Sequence, residues 1–187
     1  MTDATIARRQ LGDTLVLGIG RTGRDVAFYL QGLSKDRVSS VTVYGGAASR
    51  EGQVSRELAA AGIRVVLGTD EIAGEERYDL AVASPGIPEG SPFFQSARAH
   101  ASEMVSEPEL AWRESPERWV AITGTNGKTT TTTLACQLLE RGCGAAVAAG
   151  NIGTPTIRAI SERADGAWMV AELSSFQLET TQRLHPR

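Results

Sequence analysis

Residues 121–142 read AITGTNGKTTTTTLACQLLERG. A short apolar run leads into a glycine-bearing turn, and the turn opens at once onto a helix pattern. The turn is Gly124-Thr125-Asn126-Gly127-Lys128-Thr129, followed by Thr130. Its spacing, G-x-x-G-K-T, is shorter than the usual G-x-x-x-x-G-K-[ST], and Ile122 stands where the first glycine of that motif would be. The chemistry survives the shortening. Backbone N–H groups at a helix start can surround phosphates, Lys128 can reach the β- and γ-phosphates, and the Thr129 hydroxyl can ligate Mg²⁺. The bland alternative is a glycine turn with a solvated lysine. A nucleoside triphosphate site also needs a carboxylate on a neighbouring strand. The run AWMVAELSSF offers Glu172 at the end of an apolar strand, where α/β sheets bind ligands. A capping or solvent-facing acid is the alternative there.

A second glycine loop lies about a hundred residues upstream. Gly18-Ile19-Gly20-Arg21-Thr22-Gly23 is a full G-x-G-x-x-G between a strand pattern and a helix pattern. Such a loop brings backbone N–H groups to a diphosphate at the positive end of a helix. A dinucleotide site would add an acid at the end of the next strand. That strand ends TVYGGAAS, without one. The loop therefore suits another nucleotide diphosphate, or a plain structural turn.

Strand and helix patterns alternate on both sides of these loops, as in a parallel sheet covered by helices. Strands are expected at DTLVLGIG, VSSVTVYGG, IRVVLG and YDLAVASPGI, with helices at TGRDVAFYLQGL, REGQVSRELAAAG, SPFFQSARAHA and SEPELAWRE. The charged segment RESPER, 113–118, reads as a linker. After it come strand WVAITG, the helix from Lys128, strand AAVAAGN, helix TPTIRAISERA and strand AWMVAELSS. Two α/β units are thus expected, residues 1–115 and 116–187. The second has three apparent strands, few for a covered parallel sheet, so the chain reads as a fragment of a longer protein. Its last strand is expected to lack a neighbour.

The 187 residues carry a net charge of -3 and are 41% hydrophobic. That balance argues against a general nucleic-acid binder. The N-terminus lacks the apolar core of a signal peptide, and no run reaches the roughly 18 apolar residues of a membrane helix. A cytoplasmic, monomeric protein is expected. Cys136 and Cys143 suit neither a local disulfide nor a metal motif and read as reduced thiols. His100 reads as a surface or core residue.

GTNGKTTTT, GNIG and ELSSFQLE, in this order and spacing, resemble the Mur ligases of peptidoglycan synthesis. ELSSFQLE and SPGI at 84–87 are similar to the branch that adds D-glutamate to UDP-N-acetylmuramoyl-L-alanine. The resemblance covers essentially the whole chain. It implies a Rossmann-like parallel-sheet domain for the UDP sugar, then the start of a P-loop ATPase-like α/β domain for ATP. Gly18, Gly20, Arg21, Thr22 and Gly23 would meet the UDP diphosphate, and Ser84 the nucleotide substrate. Gly124 to Thr130 would hold ATP. Asn151 and Gln177 would line the muramoyl side. Lys128 and Glu172 would be catalytic, and Glu172 with Thr129 would serve Mg²⁺. The reaction implied is ATP-dependent amide ligation through an acyl phosphate, with D-glutamate's amine as the attacking group. The family's downstream metal-binding His, its carbamylated Lys and its C-terminal domain have no counterpart here. His185 follows ELSSFQLE too closely to be that His. The 187 residues alone are therefore expected to be inactive. The end of the second strand, Tyr44-Gly45-Gly46, departs from the family's polar uracil-side residues.

Three rival readings remain at this level. One is another Mur-type or folylpolyglutamate-type amide ligase. The second is a nicotinamide-dependent dehydrogenase, against which the missing acid and the second loop both speak. The third is a non-catalytic nucleotide-binding module.

Overall fold

The computed structural model describes residues 9–186. Their contacts form two compact units, one ending at Glu107 and the other starting at Pro108. The expected spans, 1–115 and 116–187, differ from this division by one helix, and their outermost residues, 1–8 and 187, lie outside the described ones.

In the first unit, runs rich in valine and leucine form β1 (Gly12–Leu17), β2 (Val38–Tyr44) and β4 (Tyr78–Ala83), with shorter β3 (Arg64–Val66) and β5 (Ala101–Ser106). The order is β3-β2-β1-β4-β5, and every pair is parallel. Near-continuous apolar strands are what a sheet buried on both faces requires. The chain moves outward from β1 to β2 and β3, then returns past β1 to β4. Ligands of open α/β sheets bind outside the carboxyl ends of the strands at such a reversal. The first glycine loop leaves β1 there and enters α1 (Arg21–Gly32). Helices α2 (Gln53–Ala60) and α3 (Pro92–His100) follow. The start of α3 is set by Ser91, whose hydroxyl accepts the Phe94 N–H, and by Pro92 in the first turn. Leu15, Leu17, Ala81, Phe93 and Phe94 are core residues of this unit.

Tyr44 belongs to that core and is 1% exposed. Its hydroxyl donates to Glu76 at 3.2 Å and accepts the Ala73 N–H, so it is a packed tyrosine and no open platform for a base. Arg64 and Tyr78 donate to the same Glu76 carboxylate. Burial pushes the Glu76 carboxyl up, but the hydrogen bonds from Tyr78, Arg64 and Tyr44 outweigh it and hold the carboxyl below its ordinary value.

The second unit includes α4 (Glu107–Glu114) from its second residue onward. Then come β6 (Trp119–Ile122), α5 (Lys128–Cys143), β7 (Ala146–Gly150), α6 (Thr156–Glu162), β8 (Trp168–Glu172) and α7 (Ser175–Glu179). The strand order is β6-β8-β7, all parallel. This corrects one expectation. The last strand does not lack a neighbour, because the crossovers carry the chain from one edge to the other before β8 inserts between them. Met169, Val170 and Ala171 of β8 are accordingly fully buried.

Two elements were not foreseen. The six residues ASEMVS, between two helices, were not read as a strand, yet they pair with β4 from Tyr78↔Ala101 to Ala83↔Ser106. The helix α7 is too short for a periodic signal. It is marked only by a capping box, with Ser174 at the N-cap and Gln177 three residues on. Among the described residues no helix is long and apolar enough to cross a membrane. Cys136 and Cys143 are free thiols.

Candidate active site

Two of the residues singled out from sequence, Thr129 and Asn151, converge on the carboxylate of a third, Glu172. Parallel register puts Ile122 of β6 and Gly150 of β7 on either side of Glu172, the last residue of the central strand. Glu172 is 1% exposed, so its charge needs partners. Thr129, in the first turn of α5, donates its hydroxyl to Oε2 at 2.8 Å. Asn151, the residue after β7, donates its amide to Oε1 at 2.9 Å. The Asn151 backbone N–H also bonds the Glu172 carbonyl at 2.8 Å. Each donor leaves the carboxyl end of a strand that neighbours β8, so the sheet itself gathers them.

The loop before α5 leaves the start of the helix without a side-chain cap. Gly127 is the N-cap in the left-handed region, at φ 74. The first N–H groups of α5 are thus left for another acceptor. Gly124, Thr125, Asn126, Gly127, Thr129 and Thr130 are exposed. Lys128 folds back and donates to the Gly124 carbonyl at 2.8 Å, which keeps its ammonium at the loop. Thr131 and Thr133 return their hydroxyls to the carbonyls of Gly127 and Thr129. This is the usual way for threonine to sit in a helix.

Mg²⁺ prefers hard oxygen ligands and often takes one or two carboxylates plus substrate phosphates and waters. Glu172 and Thr129 supply two such oxygens 2.8 Å apart beside an uncapped helix end. Among the described residues there is no group of three or more His, Cys, Asp or Glu that could cage a metal alone. The donor set fits Mg²⁺ held jointly with phosphates.

The first unit has a glycine loop at the corresponding strand-to-helix junction. Gly20 caps α1 without a side-chain bond. A Cβ on Gly23 would meet the Gly18 carbonyl oxygen at 1.9 Å, so only glycine permits this closeness of helix and loop. Ser84, just after β4, stands across the sheet reversal. Its hydroxyl lies 2.9 Å from where a Cβ on Gly18 would be, and it is buried without a hydrogen-bond partner. A buried hydroxyl without a partner is uncommon in folded proteins, and this one lies at the glycine loop. Arg21 is exposed and makes no ion pair among the described residues, and Thr22 is half-buried. Arg24, one turn on, is engaged by Glu57 and lies over the Phe28 ring.

Gln177 is placed differently from a freely extended substrate ligand. It is 3% exposed, and its amide oxygen accepts the Ser174 N–H at 3.0 Å. Its side chain therefore also closes the capping box of α7. His185 bonds the Arg183 carbonyl and stacks edge-on against Trp112 at 4.4 Å. His100 bonds the Ser96 and Gly74 carbonyls.

Asp70 was missed from the sequence. The end of β2 has no acid of its own, but Asp70 reaches it from the turn after β3 and accepts the Ala47 N–H at 2.7 Å. The signal was available in principle, because β2 and β3 are parallel neighbours and end side by side. A cavity of about 380 Å³ lies at the opposite, amino ends of β6 and β8. Arg163 lines it and binds the carbonyls of Ser115, Glu117 and Ala167, which makes it a staple for the segment between α4 and β6. The expected linker 113–118 thus lies inside the second unit, with Arg113 and Glu114 in α4.

Residues 122–186 match the family described as Mur ligase middle domain. The UDP-N-acetylmuramoylalanine--D-glutamate ligase of Acidobacterium capsulatum is 39% identical over 175 residues, covering 92% of this chain and 37% of that protein. The same-named ligase of Ligilactobacillus salivarius is 38% identical with the same coverage. That of Bacillus thuringiensis is 38% identical over 184 residues, 98% of this chain and 40% of that protein. A solved structure, the aureusimine biosynthetic cluster reductase domain, aligns over 54% of this chain and 33% of its own at TM-score 0.37 and 18% identity, too loosely to carry any argument. The chain is thus similar to D-glutamate-adding Mur ligases over 92–98% of its length, and its residues 122–186 match the Mur ligase middle-domain family. It spans 37–40% of the length of the relatives just described.

Proposed function

We propose that this chain carries the UDP-substrate unit and the ATP-binding segment of a cytoplasmic ligase that joins D-glutamate to UDP-N-acetylmuramoyl-L-alanine. The names of its relatives support that choice of amino acid and acceptor. One observation carries the reading: the buried Glu172 carboxylate, shared by Thr129 and Asn151, at the mouth of an uncapped phosphate loop. The first unit is read as Rossmann-like, for the UDP moiety. The second is read as the start of a P-loop ATPase-like domain.

Each residue then has a task. The first N–H groups of α5, with Gly124 to Thr130, cradle the phosphates of ATP. Lys128 exchanges the neutral Gly124 carbonyl for phosphate oxygens, a stronger charge-assisted bond. Glu172 and Thr129 would hold Mg²⁺, which would supply charge neutralisation for the phosphates. Asn151 keeps the Glu172 carboxylate oriented and, with Gln177, faces the muramoyl side. The substrate carboxylate takes the γ-phosphoryl group and ADP leaves; the amine of D-glutamate then displaces phosphate, forming the amide. In the first unit, Ser84, Arg21, Thr22 and the N–H groups of Gly18 to Gly23 receive the diphosphate of UDP.

Calorimetric titration of the chain with UDP-N-acetylmuramoyl-L-alanine, UDP, ATP and NAD tests this. We expect the UDP ligands and Mg²⁺-ATP to bind and NAD not to. Binding of NAD at or above the affinity for UDP would sink the reading in favour of a dehydrogenase-like site.

A further inference from the structure

We propose that Glu109 is a positioning residue that fixes α7, and through it Gln177, for the muramoyl end of the substrate; the functional half of this rests on the reading above. Glu109 lies in α4, is completely buried, and belongs to none of the motifs that mark the site. Its carboxylate accepts the backbone N–H of both Gln182 and Arg183, the latter at 3.1 Å. It also pairs with Arg113 one turn along α4.

The reason for such a clasp lies in α7. A helix of five residues has one turn and no stability of its own. Phe176 is 61% exposed, so apolar burial holds only part of it. Its conformation is therefore set at its ends. At the amino end the Ser174–Gln177 capping box closes. At the carboxyl end Thr181 donates its hydroxyl to the Gln177 carbonyl at 2.9 Å, and the next two residues are gripped by Glu109. Trp112, one turn from Glu109, meets His185 a little further along. The helix α4 thus grasps residues 182–185 at two points. A backbone that donates two successive N–H groups to one fixed carboxylate has little freedom left. The exit of α7 is determined by an acid more than seventy residues earlier in the chain.

Only a carboxylate can do this. In Glu109→Gln the amide oxygen can serve only one side of this pattern, the new NH₂ group faces a backbone N–H donor on the other, and the negative charge beside Arg113 is lost. The test combines amide hydrogen exchange with titration, both on this chain. We expect Glu109→Gln to speed exchange in residues 175–183 about tenfold or more, while β8 amides stay within about twofold of wild type. The Kd for UDP-N-acetylmuramoyl-L-alanine should rise about tenfold, with the Kd values for UDP and ATP changed less than about twofold. Should Glu109→Gln not fold, Glu109→Asp keeps the charge opposite Arg113 but shortens the arm, and should give the same pattern in milder form. Unchanged exchange at 175–183 overturns the proposal. Equal weakening of all three ligands also overturns it, because that marks general loosening. A wild-type chain that binds ATP but no UDP ligand defeats the functional reading instead, and the exchange arm still decides whether Glu109 holds α7.

Discussion

The loop at Gly18–Gly23 is packed shut where the loop at Gly124–Thr129 stands open. Both join a parallel strand to a helix, and both helices begin without a side-chain cap. In the first, a Cβ on Gly23 would strike the Gly18 carbonyl, and one on Gly18 would crowd the hydroxyl of Ser84, just after β4. In the second, nothing lies within 4 Å of a Cβ placed on Gly127. There glycine is demanded by φ 74 alone. The helices differ as well. α1 buries Gly23, Asp25, Val26, Ala27 and Leu30, whereas α5 buries only Thr132 and leaves Leu134 and Leu138 more than half exposed. The same strand-to-helix geometry is therefore closely packed in one unit and open among the described residues in the other.

The sharpest way to break this contrast is at Lys128. In the full-length protein, Lys128→Ala should lower the ligation rate by roughly 10²–10³-fold while UDP-substrate affinity stays within about twofold. Steady-state kinetics and titration check it, and a parallel loss of UDP-substrate binding would show that the two cradles are not separate in function. Next in size is Gly23→Ala. With a backbone oxygen in the way, we expect a loss of about 2–3 kcal/mol in denaturant unfolding of the first unit. Gly127→Ala should cost only about 1 kcal/mol, because the new methyl meets open space and only the left-handed φ is strained. If these two glycines cost the same, the difference between packed and open loops is wrong.

A pH effect is the smallest. The Glu76 carboxyl is held below its ordinary value of 4.5 in the folded state. Its ionised form therefore stabilises the first unit above that value, and the contribution is lost as pH falls below it through the folded pKa. Wild type should lose a few degrees of Tm more than Glu76→Gln between pH 7 and pH 4, as calorimetry would register. Identical losses would mean that the Tyr78 and Arg64 bonds to Glu76 contribute nothing.

Much of this was legible in the residue order. The glycine spacings announced both strand-to-helix turns, because a tight turn of that kind needs particular residues at particular steps. The acid ending AWMVAE announced Glu172, because a carboxylate after an apolar run has to be paired. The motifs GTNGKTTTT, GNIG and ELSSFQLE carried the family, which the similarity to D-glutamate ligases bears out. Tertiary structure alone decided which donors meet that acid. Thr129 and Asn151 are separated from it by 43 and 21 residues and come together only because β8 inserts between β6 and β7. The same holds for Asp70 at the end of β2, for the strand at Ala101–Ser106, and for Glu109 at Gln182 and Arg183. Local motifs encode backbone conformation, which depends on the nearest residues. Pairing between strands and the satisfaction of a buried charge depend on what the fold brings alongside, and no spacing along the chain records that.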